Sequence, residues 1–199
     1  MKMILFGIAI FAITASACNN ESKNNSEKNI DKDTTSLSNS SENGQNTSNN
    51  DSTIVVGTMK EILNQYLQIK NALADDNGKD AANAGNAFVI SLSKIETASF
   101  TAAKKQTWNE LSDDAKEMAE HIGTNADKIE HQREHFEMLS KDMYDMVKTF
   151  GVGQTLYQDF CPMYNDNKGA LWLSEIKEIK NPYLGKKMPD CGTVREEIK

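Results

Sequence analysis

Between residues 129 and 150 the chain repeats an apolar residue every seventh position: Ile129, Phe136, Met143 and Phe150. Leu139, Met146 and Val147 fill the intervening turns. On a helix this spacing lays one continuous apolar stripe along a single face, and such a stripe is stable only when other elements bury it. Gly151 and Gly153 follow and stop the helix. Three earlier stretches show the same period. Met59, Ile62, Leu63, Tyr66, Leu67 and Leu73 follow Thr58-Met59-Lys60-Glu61, which has capping-box form, and Asn77-Gly78 ends that run. Asp80–Ile95 aligns Ala81, Ala84, Ala87, Phe88 and Leu92, small residues that favour close helix packing. After Phe100-Thr101, the residues Trp108, Leu111, Ala115, Met118, Ala119 and Ile122 point one way. Four helices with short connections predict an all-α fold, an up-down four-helix bundle.

From Tyr157 the periodicity fails. Pro162, Gly169, Pro182, Gly185, Pro189 and Gly192 interrupt the chain, and all three prolines lie here. The expectation is an irregular Pro/Gly-rich C-terminal segment packed on the bundle, with one or two helical turns around Ala170–Ile179.

The N-terminus reads as an address. Met1-Lys2-Met3 precedes the apolar run Ile4–Ile13, which has signal-peptide length and is too short to span a bilayer stably. Ala15-Ser16-Ala17-Cys18 resembles a bacterial lipobox, although Ala15 stands where Leu is usual. Residues 1–17 are expected to be a lipoprotein signal and Cys18 the lipid-attachment site. The alternative is a cut after Ala17 that leaves a free Cys18. Of the 35 residues from Asn19 to Thr53, 22 are Asn, Ser or Thr, too polar to repay the entropy of folding, so residues 18–53 are expected to form a lipidated tether. That leaves 54–199 as one domain. The implied setting is the envelope of a Gram-negative bacterium, with the chain anchored in the outer membrane and facing the periplasm.

With 22 Lys+Arg against 29 Asp+Glu, the net charge of −7 argues against a nucleic-acid partner. No Gly-rich phosphate loop or G-x-S-x-G element occurs, and no enzymatic activity is expected. The chemistry concentrates in two short sulfur clusters, Cys161-Pro162-Met163 and Met188-Pro189-Asp190-Cys191. Thiolate and thioether are soft ligands that select Cu(I), with Ag(I) and Zn(II) as competitors. Trp172 offers shielding from water. A competing reading makes Cys161 and Cys191 a disulfide in a structural or interaction module, closing a loop of about 30 residues.

His131-Gln132-Arg133-Glu134-His135 fits the inverted zinc-protease pattern H-x-x-E-H. A metalloprotease also needs a further acidic ligand and a substrate cleft, and a domain this size commits most helix surface to packing. A solvated charged face is the reading favoured for these residues, with an accessory metal role open to His135. His121, near a helix end, suits interaction with the terminal dipole.

The tail pattern CPM…GA.WLS…I.NPY.G..M..CG, with Arg133–Ser140 (REHFEMLS), resembles a bacterial domain of unknown function associated with heavy-metal efflux. That domain occurs in envelope lipoproteins and fused to membrane-fusion subunits of copper/silver efflux systems. The resemblance spans about Lys60–Val194 in outline. It implies a helical fold, copper or related metal handling, and partnership with an efflux complex or other envelope protein. It points to Cys161, Met163, Met188 and Cys191 as ligands, with His135 as a possible extra one. Asn181, Pro182, Tyr183 and Gly185 would shape the turn that presents Met188 and Cys191.

Overall fold

The computed structural model describes residues 47–199, with side chains from Val55. The signal segment, Cys18 and most of the expected tether lie outside the described residues. Helix α1 (Thr47–Ala74) begins inside the stretch expected to be tether and runs through Thr58, which is therefore an interior residue and not a cap. Helices α2 (Gly78–Leu92), α3 (Ala102–Thr124) and α4 (Ile129–Phe150) follow. Asn77, read as a stop for α1, also starts α2: its side chain accepts the Asp80 N–H at 3.1 Å. Thr101 caps α3 in the same way through the Lys104 N–H.

Each helix packs on the next, and α4 closes back against α1. The heptad residues Phe136, Met143 and Phe150 are buried, together with Met59, Ile62, Tyr66 and Leu73 from α1 and Ala115, Ala119 and Ile122 from α3. The small residues of α2 do bring helices close. A Cβ on Gly85 would lie 2.9 Å from the Ala119 carbonyl of α3, so only glycine permits this approach. Among the described residues no helix is long and apolar enough to cross a membrane.

The C-terminal region overturns the all-α expectation. It is a three-stranded antiparallel sheet of β1 (Leu156–Cys161), β2 (Ala170–Ser174) and β3 (Thr193–Ile198), in the order β2-β1-β3. The protein is thus mixed α/β, and Ala170–Ser174, where helical turns were expected, is a strand. The residues explain why the pattern hid. A register shift between Gln158 and Asp159 breaks the alternation of β1. Strand β2 is buried along nearly its whole length and reads as a short apolar run, which periodicity cannot assign. The β1–β2 connection turns at Asn165, Asp166 and Asn167, all at positive φ (52°, 54° and 65°), a conformation that Asn and Asp tolerate best among non-glycine residues.

Strand β2 lies against α4, and polar contacts fix the sheet on the bundle. The Tyr66 hydroxyl meets Ser140 Oγ of α4 at 2.9 Å and accepts the Leu173 N–H of β2 at 2.9 Å. Lys70, fully buried, donates to Glu175 at 2.7 Å and to Ser174 at 3.4 Å. Glu196 of β3 accepts from Tyr144 and Lys148 of α4 at 2.7 and 2.6 Å.

One buried group works against the fold. Asp159 is fully buried in the central strand, and neither carboxylate oxygen has a hydrogen-bond partner among the described residues. Burial pushes its pKa up to about 7, the Lys70 charge opposes that rise, and Glu175 adds to it. The folded chain therefore holds a proton that the unfolded chain, titrating near 3.8, has released. The contribution of Asp159 to stability is greatest below pH 4, falls as pH rises toward 7, and is flat above. Asp159→Asn should abolish this loss and stabilise the protein at pH 8 by roughly 2–4 kcal/mol. Urea denaturation of both forms at pH 5 and pH 8 measures it; equal midpoint shifts at both pH values would exclude the assignment.

Candidate metal centre

The loop from Asn125 to Lys128 turns α3 back into α4, and Gln132 sets how the two helices meet. Its Nε2 donates to the Ile122 carbonyl at 3.0 Å and to the Gly78 carbonyl at 2.8 Å, tying the first turn of α4 to the last turn of α3 and the start of α2. Asn125 caps the end of α3 by donating to the His121 carbonyl at 2.9 Å. His121 is thereby brought opposite His131 and His135, which share a face of α4 four residues apart. One ligand atom from each of the three histidines lies within 4.8 Å of the others, and this is the one such group of three or more His, Cys, Asp or Glu among the described residues.

Each α4 ring has a partner at Nδ1. His131 Nδ1 faces Glu134 Oε2 at 3.4 Å. His135 Nδ1 faces the Met118 sulfur at 3.4 Å. An ionised carboxylate can only accept, so in the neutral ring His131 Nδ1 carries the hydrogen and its Nε2 presents a lone pair. The two Nε2 atoms converge at 3.2 Å, a distance that fits either a hydrogen bond from His135 to His131 or two lone pairs shared with a cation. Around a tetrahedral ion with metal–nitrogen bonds of 2.0–2.1 Å, two nitrogens stand about 3.3 Å apart, so the spacing suits a metal. Burial first, then the neighbouring His121 and His131, hold the His135 pKa below its ordinary value, which disfavours a charged ring there.

His121 completes the group only after a movement. Its ring stacks on His135 with centroids 4.2 Å apart and planes 4° from parallel. A metal binds in the plane of an imidazole, and two parallel rings cannot both aim at one ion. His121 is the most exposed ring of the three, so turning it meets little resistance. The solvated charged face expected of these residues is thus a cluster of three histidines flanked by Glu134 and the Met118 thioether. His121 and Met118 were missed as members. The available signal was the hairpin: a turn at Asn125–Lys128 places the last turn of one helix beside the first of the next.

The sulfur residues lie elsewhere. Cys161 ends β1 and is fully buried; Cys191 precedes β3 and is partly buried. Their sulfurs are 2.9 Å apart, closer than the about 3.8 Å edge that two thiolates span around a tetrahedral zinc ion. Burial pushes the Cys191 thiol up to about 11, and its hydrogen bond with Cys161 adds to the rise. Met163 is half exposed and Met188 partly buried. His135 contacts the other histidines and Met118, and no metal-capable group joins it to a cysteine among the described residues.

Asn181 organises the segment before Cys191. Its backbone N–H donates to the Pro189 carbonyl at 2.9 Å, its side-chain amide donates to the Cys191 carbonyl at 2.6 Å, and its side-chain oxygen accepts the Tyr183 and Leu184 N–H groups. Tyr183 is buried and donates to the Leu171 carbonyl; Trp172, also buried, meets it edge-on at 5.8 Å. Pro182 and Gly185 meet Arg133, the residue between the two histidines of α4. The Arg133 Nε donates to the Pro182 carbonyl at 2.9 Å, and Nη2 donates to the Leu73 carbonyl at 3.1 Å and to Asp76 at 2.5 Å. Gly185, at φ +53°, passes so near this pair that any Cβ would collide with Asp76.

Residues 62–155 match the family described as Protein of unknown function (DUF3347). The matched segment contains Met118 and all three histidines, and ends before β1 and its cysteine. That description names no activity and carries no link to metal efflux. No curated protein and no solved structure matches the chain.

Arg133→Met keeps most of the apolar bulk but strips donors from two buried carbonyls and unpairs Asp76. It should cost about 3 kcal/mol in guanidinium denaturation, with Arg133→Lys recovering only a fraction; a loss under 1 kcal/mol from Arg133→Met would show that the fork is not needed.

Proposed function

We propose that this domain binds a borderline divalent transition-metal ion through His131 and His135, with His121 turning in as the third ligand. The observation that carries the reading is the pair of Nε2 atoms converging at 3.2 Å while both Nδ1 atoms face acceptors. Glu134 and Met118 act on the ligands from behind: the carboxylate holds the His131 tautomer that presents Nε2 to the ion, and the weakly accepting thioether favours the same tautomer of His135. Imidazole suits copper, zinc and nickel, and the ordinary affinity order places Cu(II) first.

The histidine set also bears on how the ion is used. Two ligands stand ready on one helix and the third is exposed, so the ion enters and leaves through His121. Such a site favours exchange over permanent structural binding. With the lipoprotein signal and tether read from the sequence, this makes the chain an envelope metal-handling module that buffers the ion or passes it to another protein. Transfer to an efflux complex rests on the resemblance of the tail pattern and belongs to the same proposal. The sulfur set Cys161, Met163, Met188 and Cys191, with Cu(I) as its ion, is the other location that metal could occupy.

Titration of the full-length protein with Cu(II) and with Zn(II) against a competing chromogenic chelator tests the proposal. One tight equivalent is expected. His131→Ala and His135→Ala should each weaken binding at least 100-fold, and His121→Ala should weaken it less. At a free metal concentration one hundred times Kd, thermal unfolding should shift by the equivalent of about 2.7 kcal/mol, and the double variant His131→Ala/His135→Ala should lose the shift. Binding that survives the double variant but disappears on Cys161→Ser/Cys191→Ser would move the site to the sulfurs.

A further inference from the structure

We infer that Cys161 and Cys191 form an intramolecular disulfide when the chain folds in an oxidising compartment, a covalent latch between the central strand β1 and the lead-in to β3. The two sulfurs lie 2.9 Å apart although thirty positions separate them in sequence. Independent contacts fix both sides. Strand β1 pairs with β3 through Phe160 and Thr193, which puts the end of one strand beside the start of the other. Asn181 holds the Pro189 and Cys191 carbonyls, and the Cys191 N–H closes a turn on Met188 at 3.2 Å. The fold therefore brings the thiols together with no contribution from the bond itself, which is the condition for a latch that adds stability without strain.

The chemistry needs an oxidant, and a low-molecular-weight disulfide of the glutathione type supplies it. Cys191, the more exposed thiol, loses its proton and attacks one sulfur of that disulfide, releasing one thiolate and leaving a mixed disulfide on Cys191. Buried Cys161 then loses its proton and attacks the Cys191 sulfur, expelling the second thiolate. One disulfide is reduced to two thiols, one protein disulfide forms, and the two protons pass to the released thiolates. The mixed disulfide is short-lived because its resolving sulfur is already in contact.

The experiment uses the full-length chain carrying Cys18→Ser, so that Cys161 and Cys191 are the remaining thiols. It is equilibrated from the unfolded state in oxidised and reduced glutathione at one fixed ratio, once in native buffer and once in concentrated guanidinium, then quenched with an alkylating reagent and read by mass. The disulfide-to-dithiol ratio should be about 100-fold or more higher in the folded sample, and the oxidised form should melt roughly 10 °C above the reduced form. Asn181→Ala should narrow the difference between the samples. A ratio equal in both buffers, or a stable glutathione adduct on Cys191 of the folded chain, would overturn the inference.

Discussion

The guanidinium of Arg133 is where the elements of this protein meet. It sits on α4, only 4% exposed, and reaches the last turn of α1 through Leu73, the turn after it through Asp76, the C-terminal segment through Pro182, and its own helix through Glu130. A lysine could hold one of these partners; the planar fork holds them in different directions at once. Asp76 adds a second link from the other side, accepting the Lys186 N–H at 3.1 Å. Burial opposes the ionisation of Asp76, yet Arg133 and Lys186 hold its carboxyl below the ordinary value. The chain crossing from β2 to β3 is thus pinned to the bundle by a buried charge as well as by apolar packing.

That arrangement gives α4 three working faces. The heptad stripe faces the bundle core, Arg133 faces the C-terminal segment, and His131 and His135 face α3. Because Gln132 ties the same turn to the Ile122 carbonyl, a shift of α4 that disturbed one face would disturb the others. The histidine pair is therefore held by core packing and by two buried side chains that lie between its members in sequence. In the proposed metal site no loop would have to order for an ion to bind, and only the His121 ring would have to move.

The helices were legible because their stripes are long: four runs at the 3.6-residue period, punctuated by Asn77-Gly78, Thr101 and Gly151, leave little freedom in assignment. The sheet was not, for reasons particular to its strands. The bulge after Gln158 moves a buried carboxylate to a position where alternation predicts exposure, β3 carries Arg195, Glu196 and Glu197 in a row, and Pro and Gly in the long β2–β3 connection suggest irregular chain throughout. The site was half legible. Histidines four apart on a helix share a face, but the third histidine of the cluster comes from the preceding helix, and only the hairpin geometry reveals it. The two cysteines stood out by type and spacing, whereas their contact is a product of a strand pairing that the pattern concealed.

The separation of the two sets of metal-capable residues follows from hardness and from access. Imidazole nitrogens suit borderline divalent ions; thiols buried at a strand junction become strong ligands only if something removes their protons, and burial around Cys191 works against that. At the cysteines an ion would have to displace protons and push the touching sulfurs apart, whereas the site proposed at the histidines has two ring nitrogens already converging. The same physical fact, sulfur already in contact with sulfur, makes the thiol pair a poor receptor and a ready disulfide. The expectation that sulfur would carry the metal chemistry rests on ligand softness and on the resemblance of the tail pattern; the geometry adds protonation and space at the thiols, which neither of those could supply.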